Sequence, residues 1–154
     1  MKALVLSLAV VVSVFPLFSL PAFGALGGNA ASVAADRALL KAGDVQTQTS
    51  SYTVHQLKAE SGTVVREYVS PSGNVFAIAW QGQFFPDMQQ LLGTYFDQYS
   101  AAVKANKDAR VGRRPLNLQL PGLNVQLNGH MRAYHFRACV PQQIPAGVKQ
   151  EELW

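Results

Sequence analysis

The stretch that decides the fold runs from Val64 to Phe96 and reads VVREYVSPSGNVFAIAWQGQFFPDMQQLLGTYF. Residues 64–70 and residues 75–81 of this stretch both have the composition of β-strands. The segment Ser70-Pro71-Ser72-Gly73-Asn74 between them is a turn sequence, because proline presets one turn φ and glycine accepts the positive φ that follows. We therefore expect two antiparallel strands joined across this turn.

A long amphipathic helix is predicted directly after the second of these strands. Pro86 suits a first helical position, and Asp87 complements the positive end of the helix dipole. Apolar residues then recur at intervals of three and four: Met88, Leu91, Leu92, Tyr95, Phe96, Tyr99 and Val103. We expect this helix to lie across the small residues Ala77 and Ala79. The larger side chains of the same strand then face the other way: Phe76, Ile78 and Trp80.

Residues 116–127 predict a hairpin with one apolar face. Leucine and valine alternate with asparagine and glutamine on both sides of Pro121-Gly122, which fits the centre of a type II turn. Pairing across that turn puts all six apolar residues on one face: Leu120 opposite Leu123, Leu118 opposite Val125, and Leu116 opposite Leu127.

Two more strands are expected. One covers Tyr52–Ala59, ahead of the strand that begins at Val64, and the other covers Met131–Val140, after the hairpin. The order β-β-β-α-β-β-β predicts an α+β domain over residues 52–141, with one long helix on a mostly antiparallel sheet of five to six strands. Residues 25–51 are polar and rich in small side chains, and we predict a flexible N-terminal arm there. Residues 142–154 are predicted to be a C-terminal tail.

Residues 1–24 have the pattern of a signal peptide. One positive charge, Lys2, precedes an apolar run, and Ala22-Phe23-Gly24 is a small-residue exit of the kind that signal peptidases accept. We predict cleavage after Gly24 and a periplasmic or secreted protein. The alternative is an uncleaved anchor, which would need roughly 20 apolar residues, and the serines and prolines of this run weaken that interpretation.

Charge and cysteine content exclude some classes of protein. The chain of 154 residues has a net charge of +4, and removal of Lys2 with the leader lowers it to +3, which is too modest to indicate a nucleic-acid partner. The single cysteine, Cys139, excludes an intramolecular disulfide in an exported chain. We expect it to be buried, because a free cysteine behaves as a small hydrophobe.

Several motifs together resemble a family of exported proteobacterial proteins, domain of unknown function 2844. They are Ala25-Leu26-Gly27-Gly28, Val65 to Gly73, Val75 to Trp80, Pro86-Asp87 with Leu91 to Phe96, and Gly129 to Tyr134. The resemblance spans nearly the whole chain after the leader. It implies an envelope or secreted location, and it brings no known activity, ligand or catalytic residue.

No catalytic residue can be assigned from the sequence, but six residues are candidates for ligand binding: Arg66, Glu67, Tyr68, Trp80, His130 and Arg132. Arginine binds carboxylate or phosphate through two parallel hydrogen bonds. Arg66, His130 and Arg132 would line an anion-binding concavity if the last strand neighbours the strand of Arg66. The alternative for Arg66 and Glu67 is ordinary cross-strand pairing.

These observations favour a small non-catalytic binding or accessory module of the bacterial envelope. Its partner would be an envelope protein or a small anionic ligand, with no cofactor, no metal, no nucleic acid and no stable membrane insertion after cleavage of the leader. A second hypothesis is a periplasmic hydrolase or transferase that uses Glu67, His130 and Arg132. A third is a structural protein that self-associates, through Cys139 or through the polar face of the hairpin.

Overall fold

A computed structural model describes residues 25–109 and 115–153. Its helices are α1 (Ala30–Leu39), α2 (Met88–Leu92) and α3 (Phe96–Ala109). Its strands are β1 (Gly43–Gln48), β2 (Thr53–Lys58), β3 (Val64–Val69), β4 (Val75–Gly82), β5 (Leu116–Leu120), β6 (Leu123–His130) and β7 (Ala133–Cys139). The seven strands form one antiparallel sheet in the order β1-β2-β3-β4-β7-β6-β5.

The α+β class and the antiparallel sheet are confirmed, but the strand count and element order differ from the prediction. Seven strands are present instead of five to six, and the order begins with α1 and β1 before the predicted set. Strand β7 pairs with β4 and β6. It is therefore not a neighbour of β3, where Arg66 lies, and the condition for the predicted anion-binding concavity is not met.

The segment 25–51 differs from the predicted flexible arm, because it is built into the fold. Leu26 and Gly27 donate backbone hydrogen bonds to the carbonyls of Leu91 and Val75, at 3.0 and 2.8 Å. Asn29 caps α1 by accepting from the Ala31 amide, and β1 pairs with β2 along its whole length. Residues 25–51 have only a weak apolar pattern, and backbone hydrogen bonds to neighbouring elements hold them in the fold.

The helices cover one face of the sheet, which we call the helix face, and this is the face opposite to the one predicted. Ile78 and Trp80 lie on it, and Ala77 and Ala79 lie on the other side, the outer face. A bulge between β3 and β4 changes the alternation, because Tyr68 pairs with Ala77 while Val69 pairs with Val75. The extra residue, Phe76, therefore joins Ala77 on the outer face.

The predicted long helix is interrupted after its first turns. Asp87 caps α2 by accepting from the Gln90 amide, as its position suggested. Gly93 then has φ of 52° and ends α2, and a 3₁₀ turn over Gly93–Tyr95 leads into α3. Glycine accommodates this positive φ without a Cβ penalty, so Gly93 marks a change of direction between two helices and not a point inside one.

The hairpin of β5 and β6 is confirmed in its register and its faces. Leu116 pairs with Leu127, Leu118 with Val125, and Leu120 with Leu123. Gly122 has φ of 74°, as the second central residue of a type II turn requires. All six apolar side chains belong to the core on the helix face, four of them buried and two partly buried. The strict alternation of apolar and polar residues was sufficient to predict the register and the faces of this hairpin.

Residues 141–153 pack on the outer face and do not form the free tail that was predicted. Ile144, Val148 and the buried Leu153 contact the outer-face core around Phe76. Two 3₁₀ turns, Pro141–Gln143 and Gln150–Glu152, shape this segment. The sheet is thus covered by helices on one side and by this segment on the other, which leaves the outer face of β1 and β2 open.

Replacing Gly129 with alanine is expected to destabilise the protein more than the same change at Gly62. Both glycines have a positive φ, 118° and 82°, and this costs a non-glycine residue about 1–2 kcal/mol. A Cβ at Gly129 would also clash with the Ala133 carbonyl oxygen, whereas a Cβ at Gly62 meets open space. Urea unfolding of both variants measures the difference, and equal losses would show that the β6–β7 turn relaxes around the added methyl group.

Within residues 25–109 and 115–153, no helix has the length and hydropathy needed to cross a bilayer. The predicted leader and its cleavage site after Gly24 lie outside the described residues, as do residues 110–114 between α3 and β5.

Candidate functional site

A groove of about 330 Å³ lies on the outer face of β1, β2 and β3. We call it the β1–β3 groove, and it is lined by Val45, Thr47, Tyr52, Val54, Gln56, Arg66, Tyr68 and Glu152. The register explains this set, because Val45, Gln56 and Arg66 are cross-strand neighbours, and so are Thr47, Val54 and Tyr68. Glu152 closes one side from the C-terminal segment.

Arg66 supplies the positive charge of the groove. Its Nε donates a hydrogen bond to Gln56 Oε1 at 3.1 Å, across the β2–β3 pair. This bond fixes the side chain along the sheet while the guanidinium keeps further N–H donors at its other nitrogens. A guanidinium held in this way can bind a carboxylate or a phosphate through two parallel bonds.

Tyrosine rings form the apolar part of the groove. The Tyr52 and Tyr68 rings are 5.8 Å apart in an edge-to-face arrangement, and each also contacts the ring of Phe76 below them. Burial raises the pKa of Tyr68 to about 12, although the nearby charges of Arg66 and Arg137 oppose the shift. Its hydroxyl therefore stays protonated at physiological pH and can donate or accept a hydrogen bond.

Glu67 lies between Arg66 and Tyr68 on β3, but its side chain points away from the groove to the helix face, where it meets a second buried acid. Asp36 of α1 and Glu67 of β3 are both fully buried, and within the described residues neither Glu67 oxygen nor Asp36 Oδ2 has a hydrogen-bond partner. Gln90 of α2 donates to Asp36 Oδ1 at 2.7 Å. Three elements, α1, α2 and β3, therefore meet at one small polar cluster within the apolar core.

This carboxyl pair must hold a proton, because two buried carboxylates cannot satisfy each other as acceptors. Burial, and then the charge of Asp36, raises the pKa of Glu67 to about 9. Burial also raises the pKa of Asp36, against the effect of the Gln90 hydrogen bond. Glu67 therefore keeps its proton at neutral pH. The pair cannot reach a substrate from the core, so we interpret it as structural.

The other predicted site residues lie away from the groove. Trp80 is buried on the helix face, with its ring stacked on Phe136 at 5.8 Å. His130 and Arg132 are exposed beside the β6–β7 turn. The structure brings together Arg66 and Tyr68 of the six candidates. Glu67 is buried on the helix face of β3, whereas His130 and Arg132 lie together at the exposed β6–β7 turn, so the set required by the hydrolase hypothesis is not assembled.

Cys139 is buried, as predicted. Burial raises the pKa of its thiol to about 11, with the charge of Arg137 opposing the shift, so the thiolate nucleophile is scarce at neutral pH. Its neighbour four residues earlier, His135, is exposed. In the described part of the chain, no three histidine, cysteine or acidic side chains converge as metal ligands would.

Three residues of these two sites were not recognised in the sequence. Tyr52 was placed on a strand without a role, and Glu152 was assigned to the C-terminal tail, yet both line the groove. Asp36 was assigned to the flexible N-terminal arm and is instead fully buried. Each depends on a contact between segments that are far apart in sequence, and such contacts leave no local pattern.

A family model described as "Protein of unknown function (DUF2844)" matches residues 22–153. The chain belongs to this family. The match covers every described helix and strand, and therefore both the β1–β3 groove and the Asp36–Glu67 pair of this DUF2844 protein. No curated protein and no solved structure matches the chain.

Proposed function

We propose that this DUF2844 protein is a small non-catalytic binding module of the bacterial envelope, and that its ligand is a small anion with a planar or apolar body. The observation that carries the proposal is the β1–β3 groove, where an arginine fixed by Gln56 stands beside two tyrosine rings. Its volume lies at the lower end of the range typical of small-molecule sites, about 300–1,000 Å³.

The division of chemistry in the groove supports this ligand class. Arg66 provides charge-assisted hydrogen bonds for a carboxylate or phosphate, and Tyr52 and Tyr68 provide apolar contact area with hydroxyl groups at its edge. Glu152 is the acidic side chain of the lining. It disfavours a ligand of high negative charge and favours one that carries a single anionic group or an additional amine.

The envelope location rests on the leader pattern of residues 1–24 and belongs to the same proposal. Native mass spectrometry of protein isolated from its own cells, compared with the denatured sample, tests both parts. A mass that begins at Ala25 supports export and cleavage. Extra mass that is lost on denaturation supports a bound ligand, and a bare protein counts against stable binding.

Replacing Arg66 with glutamine is expected to weaken binding of an anionic probe by about ten- to a hundredfold, because a hydrogen bond to a charged group contributes about 1.5–3 kcal/mol. The probe is phenyl phosphate, titrated while the tyrosine ring signals are followed by NMR. Arg37→Gln is the matched control, since Arg37 is exposed on α1. Equal binding by wild type and the Arg66 variant would remove Arg66 from the site.

The neutral probe p-cresol separates the two parts of the groove. It should shift the same tyrosine signals with lower affinity than phenyl phosphate, and the Arg66→Gln change should leave its binding unaltered. If p-cresol and phenyl phosphate bind equally well, the groove selects aromatic rings and not anions, and the proposed ligand class is wrong.

A further inference from the structure

Exposed apolar side chains are concentrated at one end of the sheet. Five large apolar residues of the described chain are exposed: Leu39 (56%), Val45 (62%), Phe84 (64%), Phe85 (47%) and Met131 (73%). All except Val45 lie at the end where β4 and β6 finish and β1 and β7 begin. Leu39 ends α1 there, Phe84 and Phe85 follow β4, and Met131 forms the β6–β7 turn. We call this the tip end.

The strand register shows that these residues belong to one end. Gly43 pairs with Lys58, Lys58 with Val64, and Val64 with Gln81. Gly82 pairs with Tyr134, and His130 pairs with Ala133 across the turn that carries Met131. Neighbouring strands are about 4.8 Å apart, so the Phe84 loop and the Met131 turn are separated by only one or two strand widths.

The loop that carries Phe84 and Phe85 is anchored to the core. The Phe85 ring contacts Trp80 at 4.9 Å and Tyr134 at 5.0 Å. The Phe84 carbonyl accepts from Thr63 Oγ1 at 3.5 Å. Phe85 thus fastens the loop to the core, and Phe84 beside it remains in solvent. The opposite end of the sheet has polar or small turns, Thr49-Ser50-Ser51, Ser70 to Asn74 and Pro121-Gly122.

Charged side chains surround the tip end with an excess of cations. Lys41, Lys58 and Arg132 are exposed in its turns and strand ends, and so are two acids, Glu60 and Asp87. Arg132 adopts φ of 66°, a conformation that glycine or asparagine would occupy at lower cost, and it places a cation next to Met131.

We propose that the tip end is a membrane-contact surface, which inserts Phe84 and Met131 into the interface of a bilayer that contains anionic lipid. Apolar side chains on separate loop tips with cations between them suit an interface, where the apolar groups enter the acyl boundary and the cations meet phosphates. A protein partner would instead favour one continuous apolar patch with a polar rim. The contact is peripheral and needs no spanning helix.

This surface is distinct from the β1–β3 groove, which lies on the outer face of the sheet and not at its end. The proposal therefore stands whether or not the groove binds a small anion. It places the groove to one side of the attached molecule, open to the aqueous phase.

Vesicle sedimentation tests the proposal with three variants and wild type. The vesicles are phosphatidylcholine alone or a mixture of phosphatidylcholine and phosphatidylglycerol. Wild type should sediment with the mixed vesicles, and Phe84→Ser/Met131→Ser should lower the partition coefficient by about tenfold or more, since each side chain loses its apolar burial. Val45→Ser, an exposed apolar residue away from the tip end, should behave as wild type. Lys58→Gln/Arg132→Gln should lower binding to mixed vesicles and leave binding to neutral vesicles unchanged.

All proteins carry the same N-terminus, checked by intact mass, so any contribution of residues 1–24 is common to all, and thermal unfolding confirms that each variant is folded. The proposal is overturned if wild type sediments with neither vesicle, or if the Phe84/Met131 variant binds as wild type does. A dimer in solution that the same double change dissociates would overturn it as well, in favour of an interface between copies of this chain.

Discussion

Replacing Phe136 with alanine is expected to lower the free energy of unfolding by about 3–5 kcal/mol. Phe136 lies on β7, which pairs with the central strand β4, and is buried. Its ring stacks on Trp80 of β4 at 5.8 Å and meets the Tyr99 ring of α3 edge-on at 5.9 Å. It therefore joins the two halves of the sheet to the helix above them, and its removal leaves a cavity that rigid neighbours cannot fill.

Phe84→Ala is the matched control for this prediction. The side chain removed is the same, but Phe84 is exposed, and surface changes of this kind stay within about 0.5 kcal/mol. Urea unfolding of both variants and wild type gives the two differences. Because natural domains are stable by only about 5–15 kcal/mol, the Phe136 variant should approach the limit of folding at 37 °C. Similar losses for both variants would show that the core does not depend on this ring.

Stability is also expected to fall as the pH rises toward 9, and Glu67→Gln should remove most of that fall. The pKa of Glu67 is about 9 in the folded protein, against an ordinary value of 4.5. The folded state therefore binds the proton more tightly than the unfolded chain. The stabilisation is fully present below pH 4.5 and is lost as the pH rises through 9, by up to about 1.4 kcal/mol per pH unit.

Glutamine has nearly the same shape as protonated glutamic acid, is neutral at every pH in this range, and like it carries a hydrogen-bond donor. The variant should therefore be close to wild type at pH 5 and more stable than wild type at pH 9. Urea unfolding at several pH values gives both curves. Glu60→Gln, at an exposed glutamate in the β2–β3 turn, controls for the loss of one negative charge. Parallel curves for wild type and the Glu67 variant would mean that this carboxyl does not hold the proton.

The sequence predicted those elements whose side-chain pattern is local and strongly periodic. The β5–β6 hairpin is correct in register because six apolar residues alternate across one turn. The helix after β4 begins at Met88, two residues after the predicted first helical position, Pro86, and Asp87 next to it is the capping residue. In both cases the chemistry that forms the element lies within a few residues of sequence.

The errors share a different physical origin. Strand β1 has the sequence GDVQTQ and is exposed along its length, so it has no apolar face that could indicate a strand. Phe76 was grouped with Ile78 and Trp80, but a bulge adds one residue and puts it on the same face as Ala77, which a period of two cannot anticipate. Of the candidate site, Arg66 and Tyr68 were identified, but Tyr52 and Glu152 join them only when distant segments pack together.

The strand order of this sheet also sets how the chain must assemble. Strands β1 to β4 follow one another as neighbours, and so do β5 to β7, which makes two meanders built from local contacts. Only the β4–β7 pairing joins them, and its first pair, Gly82 with Tyr134, closes a loop of roughly 50 residues. Local hairpins form in microseconds, whereas pairing two distant strands costs chain entropy before any contact between them has formed. We therefore expect the joining of β4 to β7 to be the slow step of folding, and before this step each meander presents an unpaired strand that another newly made chain could pair with.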